Sequence, residues 1–147
     1  MIRFVVSAVL LAASGAAAAQ VQVKDAWARP ALQGQTATGA FMSLMSSDGA
    51  RLVGASSSVA GVVEIHEMVM EGSVMKMRAI PGLDLPPGRS VELKPGSFHV
   101  MFMGLKQPLE KGQRIKGTLE FEKAGKIDIE YVVEAIGATP AAKGHQH

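Results

Sequence analysis

The sequence predicts an all-β protein, a Greek-key sandwich of about seven or eight strands. Three observations carry that prediction. Apolar and polar residues alternate in short runs rich in Val, Ile, Phe and Thr, and clusters of Gly, Pro, Asp and Ser separate the runs. No window keeps a helical period over three turns. At 147 residues and 48% hydrophobic, the chain has the size and apolar content of one domain. Its 15 basic and 13 acidic residues leave little self-repulsion, which excludes a disordered tail protein. The basic residues are scattered without interleaved aromatics, so nothing suggests nucleic-acid binding.

Taken in order, the elements begin with an address. Met1-Ile2-Arg3 is a positive start, residues 4–13 are apolar but for Ser7, and Ala17-Ala18-Ala19 precedes Gln20 as a cleavage site. That is the layout of a secretory signal peptide over residues 1–19, and its apolar run is too short for the ~20 residues that span a bilayer. The domain is expected over 20–136. Its strands are expected within 21–27, 40–45, 62–70, 74–80, 90–93, 98–103, 114–121 and 126–133, each run closed by turn residues such as Ser46-Ser47-Asp48-Gly49. Residues 137–147, rich in Ala and Gly, read as a flexible tail that carries His145 and His147. A monomer is expected.

The unusual feature is nine Met with no Cys. The missing thiol excludes disulfides, zinc ribbons, redox CxxC motifs, cysteine nucleophiles and the Cys-containing copper sites of electron transfer. Strand alternation then places the Met residues. In 98–103, Phe98, Val100 and Phe102 share one face, while His99, Met101 and Met103 share the other. In 62–70, Glu64, His66, Met68 and Met70 share a face opposite Val63, Ile65 and Val69. A two-residue turn would make 62–80 a hairpin with two possible registers. With Glu71-Gly72 at the turn, His66 faces Met77; with Gly72-Ser73 there, Met77 faces Met68 and lies diagonal to His66. Both registers keep Met75 and Met77 on the His66 face. Met42 and Met45 fall in another strand and are expected in the core.

Imidazole nitrogen and thioether sulfur supply neither a carboxylate pair for acid–base catalysis nor an activated nucleophile. They are borderline and soft ligands, and thioethers select Cu(I) over zinc, magnesium or calcium. Four neutral ligands would hold Cu(I) without a thiolate, which suits an oxidising compartment where a Cys pair could be lost to a disulfide. The expected function is metal carriage rather than catalysis. Sequestration with the same ligands, or an adhesion module with incidental Met, are the alternatives. In the tail, His145 and His147 could bind Cu(II), which prefers nitrogen and oxygen donors.

The spacing His66, ten residues, Met77, 21 residues, His99, one residue, Met101 resembles the H-x10-M-x21-H-x-M pattern of the PCu(A)C family of periplasmic copper chaperones. Asp25-Ala26-Trp27-Ala28-Arg29-Pro30, Thr38-Gly39-Ala40-Phe41-Met42, His66-Glu67-Met68, Val91-Glu92-Leu93-Lys94-Pro95-Gly96 and His99-Val100-Met101-Phe102-Met103-Gly104-Leu105 resemble the same family. The resemblance implies a cupredoxin-like β-sandwich in the periplasm. It implies His66, Met77, His99 and Met101 as Cu(I) ligands, with Met68 in reserve. It also implies delivery to the copper-binding subunit of cytochrome c oxidase, beside Sco-type proteins.

Overall fold

The computed structural model describes residues 21–134. Ten strands lie within them: β1 (Val21–Ala28), β2 (Ala37–Ser46), β3 (Ala50–Ser57), β4 (Ala60–Glu71), β5 (Val74–Ala79), β6 (Leu83–Leu85), β7 (Ser90–Leu93), β8 (His99–Leu105), β9 (Arg114–Phe121) and β10 (Gly125–Val133). The hydrogen-bonded order is β5-β4-β8-β2-β1-β10-β9-β3-β6, with β7 also paired to β2. Only β1 and β10 run parallel among these pairs. The order folds back on itself to make a sandwich: Phe102 of β8 meets Tyr131 of β10 edge-on at 5.2 Å between ring centroids, although β2 and β1 separate those strands in the sheet. Leu44, Leu52, Ile65, Val100, Ile115 and Leu119 close the core around that pair.

The all-β expectation holds, but the structure has two strands beyond the runs expected from sequence. The first, β3, carries Arg51, Gly54, Ser56 and Ser57 and has little intrinsic strand character; it is held between β9 and β6 by pairing. The other, β6, is a three-residue strand in a Pro- and Gly-rich segment. A second correction concerns the methionines of β2. Met42 is buried in the core as expected, whereas Met45 is only half-buried. Positions three apart on a strand face opposite sides, so the two could not both point inward.

One irregularity aims the site. In β1 the register with β2 slips between Lys24 and Trp27, and Asp25 in the slip has φ 54°. This is a β-bulge, with Asp tolerating the left-handed backbone better than a branched residue would. The extra residue shifts alternation by one, so Ala28 takes the core position and Trp27 pairs with Phe41 on the other face. That face is shared by Gly39 and Phe41 of β2 and His99 and Met101 of β8.

Candidate metal centre

The centre is built on β5, β4 and β8, adjacent in that order at one end of the sheet. His66 of β4 stands directly across from His99 of β8, and their rings are 5.6 Å apart. The row continues sideways, His99 to Phe41 at 6.2 Å and Phe41 to Trp27 at 4.8 Å, with the Arg29 guanidinium 5.2 Å from the Phe41 ring centroid. These aromatic neighbours help bury both imidazoles: His66 is 9% exposed and His99 5%.

The hairpin turn is Gly72-Ser73, since Glu71 pairs with Val74. Of the two registers open to the sequence this is the one that sets Met77 opposite Met68 and diagonal to His66. From there Met77 reaches over β4, and its Sδ lies 3.1 Å from His99 Nε2. Met101 follows His99 by two positions on β8, flanked by Glu64 of β4 and Gly39 of β2. Gly39 matters for space here. A Cβ at that position would press on the Phe41 ring at 3.2 Å and come within 4.0 Å of His99 Cδ2.

Hydrogen bonding assigns each imidazole one donor nitrogen. Nδ1 of His99 lies 3.3 Å from the Ser97 carbonyl oxygen, a group that only accepts, so Nδ1–H donates and Nε2 in the neutral ring keeps its lone pair toward Met77. His66 Nε2 lies 2.8 Å from a Glu64 carboxylate oxygen and donates to it, while its Nδ1 is buried without a hydrogen-bond partner. One nitrogen held by an oxygen acceptor and the other left free is the usual arrangement of a metal-binding histidine. Burial holds the His99 pKa below its ordinary value; the Ser97 carbonyl opposes this, and the nearby His66 and Arg29 add to it. The ring is thereby kept neutral, the form that can bind a cation.

Sequence reasoning named His66, Met77, His99 and Met101, and the fold gathers all four on adjacent strands of one sheet face. Met68 stands across from Met77, and Met103, across from Val62, is two positions farther from His99 than Met101. Glu64 and the Ser97 carbonyl were missed as orienting groups. A Glu two positions before a His, on the same strand face, was the available signal for the first. Among the described residues no three His, Asp or Glu side chains group to hold a metal. Residues 1–19, His145 and His147 lie outside the described residues.

Residues 21–133 match the LpqE-like family model. The copper-bound PCuAC domain from PmoF2 superposes with a TM-score of 0.68 at 27% identity, over 81% of this chain and 96% of that one. The chain belongs to the LpqE-like, PCuAC-related family. The Cu(I) form of DR1885 from Deinococcus radiodurans is similar to this PCuAC protein at a TM-score of 0.62 and 29% identity, covering 82% of this chain and 83% of that one. By sequence it is 38% identical over 126 residues to Lxx21020 of Leifsonia xyli, over 84% of this chain and 76% of the relative. It is 32% identical over 112 residues to RP573 of Rickettsia prowazekii, over 72% and 62% respectively. The cupredoxin-like sandwich expected of PCuAC proteins is the fold observed.

Proposed function

We propose that this protein is a copper chaperone that binds Cu(I) through His66, Met77, His99 and Met101 and passes it on without substrate turnover. One observation carries the reading. Two buried imidazoles, each with one N–H bonded to an oxygen acceptor, keep a second nitrogen free, and one of these faces a thioether at 3.1 Å. That donor set is neutral and half sulfur, which favours Cu(I) over hard divalent ions. Structural relatives described as copper-bound and as a Cu(I) form support it from a separate direction.

The chaperone role follows from access. Both imidazoles are nearly sealed, but Met77 is 47% exposed on edge strand β5. An acceptor's ligand can displace this one thioether while the His pair still holds the ion, so transfer needs no opening of the sandwich. By resemblance the acceptor is the copper centre of cytochrome c oxidase, with Sco-type proteins as companions. The address at residues 1–19 supports delivery in the periplasm by a mature chain whose domain spans 20–136. Among the described residues no helix is long and apolar enough to cross a membrane. The tail residues His145 and His147 are assigned a separate Cu(II) role.

Anaerobic Cu(I) titration followed by Trp27 fluorescence tests the centre, because Trp27 is two ring contacts from His99. Saturation at one equivalent is expected, with marked weakening in both His99→Ala and Met101→Ala. Unchanged affinity in both variants would refute the ligand assignment. Incubating the loaded protein with an apo oxidase copper domain tests delivery, and retention of the ion would make the protein a store instead.

A further inference from the structure

The four-donor centre leaves thioethers over. Along the hairpin, Met68 pairs with Met77 and Met70 with Met75, so these four side chains form two successive rungs on the face of His66. The outer rung is open to solvent, with Met70 60% exposed and Met75 47%. The reverse face of the ribbon carries two ion pairs, Arg78 with Glu67 at 2.7 Å and Lys76 with Glu71 at 2.8 Å, alongside Val69 and Val74. Neither face at the tip meets the core, so core filling does not explain sulfur there. An exposed strand pair would ordinarily carry Thr, Lys or Glu.

We propose that Met68, Met70 and Met75 form a second, weaker site for a soft monovalent cation, Cu(I) or Ag(I), made of thioethers alone. For the identity of its metal the inference rests on the Cu(I) reading of the His66–His99 centre. Directly opposed Cβ atoms in a strand pair are ~4.5–5.5 Å apart, and three rotatable bonds let each Met bring its sulfur inward. A rung two residues along is ~7 Å away, within reach of stepwise ligand exchange. Met77 occupies the inner rung and already turns its sulfur to His99. An ion at the tip can therefore move inward by exchanging one sulfur at a time, and a departing ion can retrace that route. No redox step is involved, since all donors are neutral and the ion keeps its charge.

The test is a titration of the full chain, labelled at the Met methyl carbons, with Ag(I) alone, read by NMR. The first equivalent should shift the Met77 and Met101 methyls. Further Ag(I) should shift those of Met68, Met70 and Met75 in a second, weaker phase. The double variant M70L/M75L should lose that phase and keep the first, with an unchanged amide spectrum, because Leu conserves the volume of Met. Met70 and Met75 methyls that stay in place at saturating Ag(I), or a second phase at Met68 that survives in the double variant, would overturn the site. Response at Met70 and Met75 without response at Met77 and Met101 would refute the four-donor centre and leave the thioether site standing.

Discussion

His66 and Met70 stand on the same face of the same strand, four positions apart, yet one is nearly sealed and the other is mostly in water. The difference lies in their neighbours. Around His66 the strand has β8 on one side and β5 on the other, and the ring row of His99, Phe41 and Trp27 extends across the face. At Met70 only β5 remains, because the registered pairing with β8 ends at His66. One strand thus has two environments, and under the proposed reading both would meet the same kind of soft ion. The inner end orients its donors by hydrogen bonds, whereas the outer end leaves them free to turn.

The comparison breaks most sharply at His99. His99→Ala removes a donor outright and should cost more Cu(I) affinity than the ~10–100-fold typical of losing an orienting group. Competition with a Cu(I) chelator measures it, and a smaller loss would mean that the inner end does not depend on the imidazole pair. Next is Glu64→Ala, which frees the His66 ring without replacing a proposed ligand. A loss of about 10–100-fold is expected in the same assay, with partial recovery in Glu64→Gln, whose amide oxygen can still accept from Nε2.

Acidity separates the two ends by a smaller and graded effect. The His99 pKa is held below 6.5 by burial, so Cu(I) affinity at the inner centre should stay level as pH falls to about that value. Below the depressed pKa it should drop by up to about tenfold per pH unit for this one proton. Thioethers do not titrate, so Ag(I) shifts at Met70 and Met75 should not follow pH. The same sign applies to folding. Between the two pKa values the unfolded chain binds the His99 proton and the folded chain does not, so this contribution to stability is complete above about 6.5 and is lost as pH falls through the folded value. Urea midpoints of the metal-free protein across this range check it.

The smallest effect belongs to the tip. M70L/M75L should change unfolding free energy by less than about 0.5 kcal/mol, because exposed, volume-conserving substitutions leave the core alone. A larger loss in urea denaturation would show that the outer rung is structural.

Much of this contrast was legible in the residues. Alternation through His99, Met101 and Met103, and through Glu64, His66, Met68 and Met70, assigned faces correctly because a period of two is a local property of an extended backbone. The hairpin was legible for the same reason, but its register was not. Both Glu71-Gly72 and Gly72-Ser73 suit a tight turn, and the choice is made by pairing along the whole ribbon. The strand β3 was missed because Gly54 and its serines give a weak local signal and pairing with β9 supplies what propensity lacks. The Asp25 bulge was missed too, since sequence 21–27 reads as unbroken alternation until β2 imposes the slip that turns Trp27 toward the histidines.

By itself the sequence determined which side chains are available as donors, two imidazoles and a set of thioethers with no thiol, and the strand faces that carry them. These follow from side-chain identity and local backbone geometry. Only the tertiary structure decided that His66 faces His99, that Met77 crosses β4 to reach it, and that Glu64 and Ser97 orient the rings. Such contacts join residues 2 to 33 positions apart through the order in which strands pair, and that order is set by burying one core shared by all of them.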